Sequence, residues 1–509
     1  MKVSTRISTL AVAAALLAAC GGSQSSGDPT SMPTDGTDLV TREMAPLTAL
    51  ESPPPPGDPA PYELPQVEEI ELSNGLDVVL VRRPSFPTIA VRLGVRAGMD
   101  ASDGNLAVPE LTIRLLRDGT TTRDSDAIAR YIDGNGLGFS AAAGDNSATL
   151  AADGLSTQLP ELLTLLSDLT LNPTFAEDRF LARQEELAGE IQLAQAQQSY
   201  HLSRIADRVM FGDHIYGRTL TTEEVVAVDQ AAVAAFHEAT FGPDRARLVL
   251  VGALPEDAAA QIEAAFGAWE PTGNAWAPTD PPESTFCNVA HVVFRPNSAQ
   301  TAVTWLGDSL ESSEDGYFDA LVANEILGGG IIGRLFMSLR EEKSYTYGAY
   351  SGMREQVGAA WFQASSNVRG EVTADAVGAF IEEFDRFQQE TMPETDLQDN
   401  VSYLSGVFPI ELARNGAVAG QLLSLYNRGL DAPAWLEGYR DAVTSVSVDS
   451  VTEAGRSLIN PAALTLVMVG EEPFVRPAAM QYASTVYVYD LDGELVETLE
   501  GEAPSTCAE

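Results

Sequence analysis

Histidine is nearly missing from this 509-residue sequence: there are four, and none precedes His201. No centre built on paired imidazoles can therefore form from the first 200 residues. Lysine is scarcer, at Lys2 and Lys343 alone, so the 30 basic residues are nearly all arginine and face 73 acids, a formal charge of −43. That excess argues against a nucleic-acid grip, because neutralising phosphates needs clustered cations. Cysteine occurs only as Cys20, Cys287 and Cys507. Past residue 19 no unbroken apolar run approaches a transmembrane length, and no G-x-S-x-G nucleophile motif occurs. What remains, 45% apolar and 20% charged residues, is enough for a sizeable core and excludes wholesale disorder. The length suits three or so globular units, or two larger ones.

The first residues have targeting chemistry. Lys2 and Arg6 precede an apolar run from Leu10 that ends in Leu17-Ala18-Ala19-Cys20. This predicts a signal peptide over 1–19 that resembles a lipoprotein signal, with Cys20 acylated; ordinary secretion with an incidental cysteine is the alternative. Residues 20–65, rich in Gly, Ser, Thr, Asp and Pro and including Pro53-Pro54-Pro55-Pro56, predict a disordered tether. The expected location is the cell envelope, lipid-anchored to the membrane and facing the periplasm of a Gram-negative cell. In that oxidising compartment a Cys287–Cys507 disulfide would pin the acidic tail to the start of the second half; the sequence leaves the pairing open.

The body predicts an α+β chain of two homologous α/β domains in tandem. Val67 to Leu72, Ser73-Asn74-Gly75 and Leu76 to Arg82 read as a hairpin on an Asn-Gly turn. A strand at Ile89 to Val95, a helix at about Leu106 to Leu116 and strands within Gly138 to Asp153 follow. A helical block spans Ser156 to Leu169, and Phe175 to Arg208 reads as one long helix broken near Ser199. The stretch Gly242-Pro243 to Val251-Gly252 recurs as Asn460-Pro461 to Val469-Gly470, an offset of 461 − 243 = 218 residues. Two such strands, each closing a similar series of elements, imply a duplicated domain. The expected units are 66–272, a linker at 273–288, 289–475 and an acidic extension at 476–509, whose Val486 to Tyr489 and Glu494 to Val496 read as an extra hairpin of no evident purpose.

Several motifs together resemble the insulinase, pitrilysin and mitochondrial-processing-peptidase family of inverted-motif zinc peptidases. They are the Asn-Gly hairpin, Ala97-Gly98, Asp118-Gly119-Thr120, Phe211-Gly212-Asp213-His214-Ile215-Tyr216-Gly217, and Gly330-Ile331-Ile332-Gly333-Arg334-Leu335 running into Leu339-Arg340-Glu341-Glu342-Lys343. The resemblance covers roughly residues 65–475. It implies that an active member carries H-x-x-E-H on its first helix and a glutamate ligand on a later one. Anchored on Gly119, those positions hold Glu110, Ile113 and Arg114 here, and Glu190 stands near the third ligand's place. Both imidazoles and the glutamate base are gone. One carboxylate cannot hold a catalytic zinc, so no metal is expected on this chain. Glu110 and Arg114 instead form an i,i+4 acid-to-base pair. His201, His214, His237 and His291 have no mutual i+3 or i+4 spacing and read as surface or capping residues.

The second half keeps more. Gly333 to Glu342 predicts an amphipathic helix, Lys343-Ser344 a break and Tyr345 to Tyr350 a strand. The resemblance implies that Arg340 and Tyr347 reach a substrate bound at a facing domain's zinc. A phenol can donate to an oxyanion and a guanidinium can hold a carbonyl or carboxylate. Aromatic strand packing and a solvated arginine are the plain alternative. Gly328-Gly329-Gly330 lacks a following Gly-Lys-Ser/Thr and reads as a substrate-edge loop, a hinge or a close-packing turn. The expectation is a non-catalytic subunit of a heterodimeric zinc metallopeptidase, paired with a homologous H-x-x-E-H subunit that supplies zinc, and binding peptide rather than nucleic acid. An inert envelope scaffold or assembly protein is the other reading.

Overall fold

The computed structural model describes residues 63–507 except Thr279 and Glu283. The predicted signal peptide, Cys20 and almost all of the predicted tether lie outside the described residues.

Thirteen strands are described, in two mixed sheets. In the first half they are β1 (Val67–Glu71), β2 (Asp77–Arg82), β3 (Thr88–Val95), β4 (Gly138–Ala143), β5 (Ala148–Leu155) and β6 (Ala246–Gly252), in spatial order β1-β2-β6-β3-β5-β4. In the second half they are β7 (Val289–Phe294), β8 (Gln300–Asp308), β9 (Thr346–Gln356), β10 (Ala359–Arg369), β11 (Thr465–Gly470), β12 (Thr485–Tyr489) and β13 (Leu495–Glu500), in order β13-β12-β7-β11-β8-β10-β9. The run β2-β6-β3-β5-β4 has its counterpart strand for strand in β7-β11-β8-β10-β9. β6 and β11, the repeated Pro-strand-Gly segments, each lie between a parallel neighbour and an antiparallel one. The duplication read from the sequence is therefore a duplication of topology.

The terminal hairpin now has a purpose. β12 pairs in parallel with β7, on the flank that β1 covers in the first sheet, and β13 closes that edge. Cys287 and Cys507 are disulfide-bonded with Cα atoms 5.0 Å apart, so the last described residue returns to the start of the second half.

The central strands are apolar on both faces, which is why Val78-Val79-Leu80-Val81 reads as an unbroken hydrophobic run rather than an alternation. Val78 and Leu80 face the first half's own core with Leu111, Leu166 and Phe266. Val79 and Val81 point the other way, into a cluster with Leu422 and Leu423 of the helix Asn415–Asn427, which belongs to the second half. The exchange is reciprocal. Ile205, Met210 and Phe211, on the helix Gln198–Phe211 of the first half, pack on Leu306, Val467 and Val469 of the second sheet.

Candidate functional site

Helix α1 (Ala107–Leu115) starts where Asn105 Oδ1 accepts the Ala107 N–H at 2.9 Å. Its first turn carries Glu110 and its last turn Arg114, which suits the helix dipole at both ends. Helix α2 (Glu177–Gln195) runs beside it, and α3 (Gln198–Phe211) follows. The break expected near Ser199 therefore falls at 196–197, between two helices. There His201, buried at 5% exposure, hydrogen-bonds the Gln195 carbonyl at 2.9 Å and ties the break.

The residues aligned with the ligand positions come together. Arg114 Nε lies 2.6 Å from Glu110 Oε1 on its own helix. Its two terminal nitrogens make a fork with Glu190 of α2, at 3.1 Å and 2.9 Å. A guanidinium therefore lies between two carboxylates in the cleft where the resemblance would put a metal held by two imidazoles and a glutamate. Ile113, at the base position, is buried in the first half's core at 2% exposure. This donor set does not fit zinc: it offers two carboxylates already neutralised by a cation and no nitrogen ligand. Among the described residues no group of three His, Cys, Asp or Glu has metal-holding geometry.

The histidines depart from the surface reading. His214 caps a short 3₁₀ turn, accepting the Tyr216 N–H at 3.3 Å, as a capping role requires. Of the others His201 is buried, and His237 and His291 are half-buried. His237 stacks on Phe241 at 4.6 Å and bonds the Thr170 carbonyl, with burial pushing its pKa down to about 4. His291 lies against Tyr487, takes part in a 2.9 Å hydrogen bond with Tyr489 Oη, and is likewise lowered by burial to about 4. Isolated histidines among apolar neighbours pack as neutral rings, and spacing in the sequence does not reveal that.

In the second half, helix 334–342 is α-helical over Arg334–Phe336 and widens to a π-helix over Met337–Glu342. The Lys343 N–H reaches back five residues to Ser338 O at 3.0 Å. The chain then breaks at Ser344, with φ +54°, and enters β9, the edge strand of its sheet. Tyr347 is 82% exposed, so it is not core packing, and the Arg340 guanidinium carbon sits 5.1 Å from its ring centroid. Both line a 390 Å³ pocket. Lys343, between them in sequence, is instead turned to Glu382 at 3.3 Å.

The three glycines have separate surroundings. A Cβ on Gly328 would lie 2.7 Å from Ser351 N and 3.0 Å from Leu335 Cδ1, a close-packing requirement. One on Gly329 would strike the carboxylate of Glu325, a buried group whose pKa is raised by burial and then by Glu411. Gly330 is more open, and Ile331 and Ile332 beyond it are exposed. Sequence reasoning missed Arg369 and Gln300, which also line the Arg340 pocket. They reach it through strand pairing alone, since β8, β10 and β9 are neighbours, and no local motif marks them.

A duplicated mixed-sheet fold, a ligand cleft filled by arginine and a retained Arg/Tyr pair define a peptidase-like chain without its metal centre. Residues 77–223 match the profile of the insulinase family, peptidase family M16, and residues 227–404 match that of the peptidase M16 inactive domain. The chain belongs to the insulinase family and is of its non-catalytic type. An uncharacterized zinc protease of Bacillus subtilis is 22% identical over 289 residues, 56% of this chain and 69% of that protein. The crystal structure of a peptidase M16 inactive domain from Pseudomonas fluorescens superposes with TM-score 0.72 and 24% identity, over 80% of this chain and 98% of that one. The periplasmic protease PqqL of Escherichia coli gives TM-score 0.67 and 15% identity, over 82% of this chain and 48% of that one.

Proposed function

We propose that this chain is the non-catalytic subunit of a two-subunit zinc peptidase of the cell envelope, held at the membrane through Cys20 and contributing Arg340 and Tyr347 in trans. The observation that carries the reading is the exposed Arg340–Tyr347 pair, side by side in a pocket, in a chain whose own ligand cleft is filled by Arg114. The partner would be a homologous H-x-x-E-H chain that brings the metal and the glutamate base.

Peptide would lie extended between the subunits, adding a strand to the partner's sheet. Tyr347 would donate its phenolic hydrogen bond to the oxygen that becomes negative in the tetrahedral intermediate, and Arg340 would fix the neighbouring substrate carbonyl or carboxylate. In PqqL the matched part is 48% of the chain, which leaves room there for a second body of similar size.

Purification from native envelope followed by mass spectrometry is expected to recover an H-x-x-E-H homologue. In the reconstituted complex Tyr347→Phe should lower turnover by about 10²- to 10³-fold, the usual effect of losing one oxyanion donor. Undiminished turnover removes the catalytic role. Recovery of envelope proteins with no peptidase among them favours the scaffold reading instead.

A further inference from the structure

The pocket that holds Arg340 and Tyr347 has a second guanidinium. Arg369 ends β10, paired in register with Gln300 of β8, and its N–H donates to Tyr345 O at 3.2 Å. Three neighbouring strands thus bring Gln300, Arg369 and Tyr347 to one 390 Å³ cavity, with Arg340 and Ser344 completing the wall. Glu341 is its one acidic lining residue among the described residues.

Neither guanidinium is firmly neutralised. Arg340 Nε is 3.7 Å from Glu341 and Arg369 Nε is 3.3 Å from Glu371, and all four side chains are at least 38% exposed. Exposed pairs of this kind hold weakly and exchange readily for a better partner. Lys343, the other cation of the segment, is committed to Glu382 and Ser338 and does not line the cavity. Ser344, which also lines the pocket, holds a left-handed backbone that few non-glycine residues adopt. Against a chain charge of −43, a cavity whose described lining carries two cations to one acid is a local excess of positive charge.

We infer that this pocket binds a carboxylate of the bound peptide, an acidic side chain or a free carboxyl terminus, between Arg340 and Arg369. A guanidinium matches a carboxylate with two parallel N–H donors, and two guanidiniums can take both of its oxygens. The cavity is near the lower end of small-ligand sites, which suits one residue rather than a long segment. The inference deepens the proposed function by naming a substrate feature, and it rests on peptide binding at the Arg340–Tyr347 face.

Three fluorescein-labelled decapeptides of Ala, Ser and Gly test it on the purified chain by anisotropy. One carries an internal Glu and an amidated terminus, one Gln and an amidated terminus, and one Gln and a free carboxyl terminus. One carboxylate peptide should bind about 10- to 100-fold more tightly than the Gln amide, the usual worth of charge-assisted hydrogen bonds, and which one does so identifies the source. Long-range charge works in the opposite direction, since an acidic protein repels an acidic peptide. Arg369→Gln should collapse the ratio to within about twofold and Arg369→Lys should keep part of it, with melting curves confirming that both variants fold. Equal affinity for all three peptides, or no binding of any, overturns the inference. The ratio is read without a partner. A carboxylate preference combined with undiminished turnover in Tyr347→Phe therefore keeps the subsite and removes donation in trans, and the reverse result removes the subsite alone.

Discussion

Arg114 and Glu190, 76 residues apart, form a two-pronged ion pair across the cleft between α1 and α2. With Glu110 the guanidinium has three contacts to carboxylate oxygens, between 2.6 and 3.1 Å. Truncating it leaves two acids facing each other with no cation between them. Arg114→Ala should therefore destabilise the chain by about 1–2 kcal/mol, the lower end for a broken pair because Glu190 is half exposed and water screens it. Denaturant unfolding at neutral pH reads the loss. Glu190→Gln should lower stability less, since it removes a charge and keeps a hydrogen-bonding side chain of similar shape.

If only the donor chemistry was lost and the backbone still holds the ligand geometry, the metal site can be rebuilt. The triple change Glu110→His, Ile113→Glu and Arg114→His writes H-x-x-E-H onto α1, facing Glu190 of α2, which pairs with residue 114 in the natural chain. Two imidazoles four residues apart share a helical face, and with a carboxylate they make the three protein ligands of a catalytic zinc. The triple variant should retain about one zinc per chain after gel filtration, measured by elemental analysis, where the natural chain retains less than about a tenth of that. Moving Glu into the buried site of Ile113 is the expected point of strain, so the double variant with Ile113 kept should bind zinc with less loss of stability.

How much of this was legible depended on how local the signal was. The hairpin on Ser73-Asn74-Gly75, the strand content of Gly138 to Asp153 and the repeated Pro-strand-Gly segments are local patterns, and the folded chain contains all three. The loss of imidazoles from the first helix could be read directly, because absence of histidine before His201 needs no alignment. The Arg114–Glu190 fork is a contact between separate helices, and the sequence showed only its i,i+4 half. The π-turn before Lys343 shifts the hydrogen bond by one residue over a six-residue stretch, too short for hydrophobic periodicity to separate from an ordinary helix. Arg369 was invisible because nothing local distinguishes it; only the register of β10 brings it beside Arg340.

Two sets of half-buried titratable groups should give opposite pH dependences. Asp207 is raised to about 7, first by burial and then by Asp145, whose own pKa is raised chiefly by burial. Its folded form keeps a proton that the unfolded chain releases near pH 4, so its contribution weakens stability progressively as pH rises from about 4 to 7. His237 and His291 are lowered to about 4, so the folded chain keeps them neutral while the unfolded chain takes up protons below about 6.5. Their contribution is full above pH 6.5 and is lost as pH falls toward 4. The natural chain shows the difference of these slopes, and single variants unmask them. Asp207→Asn should stabilise at pH 8 by about 2 kcal/mol and change little at pH 4, with some of the full effect lost to solvent. His237→Gln should lessen the fall in stability between pH 6.5 and 4.5. Urea unfolding at pH 4.5, 6.5 and 8 separates the two, and parallel pH profiles in natural chain and variants would refute the assignment.

The disulfide between Cys287 and Cys507 closes a loop across 220 residues of sequence. Restricting so long a loop in the unfolded chain is worth up to about 5 kcal/mol by loop entropy, and measured bridges more often give about 2–4. The native position of the tail does not rest on the bridge alone. The Asn288 N–H donates to Thr506 Oγ1 at 3.0 Å and the Thr506 N–H to Asn288 Oδ1 at 2.9 Å, while the Thr506 hydroxyl donates to Ala462 O at 2.6 Å. β12 is also held by its parallel pairing with β7 over Thr485–Tyr489. Cys507→Ser should thus keep the fold and lose about 2–4 kcal/mol, chiefly because its unfolded state is freer. Dithiothreitol should bring the natural chain down to the same denaturation midpoint and leave Cys507→Ser unchanged. If reductant does not move the natural chain, the bridge is either not formed in solution or contributes nothing to stability; thiol titration under denaturing conditions distinguishes these, with two reactive thiols from Cys287 and Cys507 meaning no bridge and none meaning a bridge without effect.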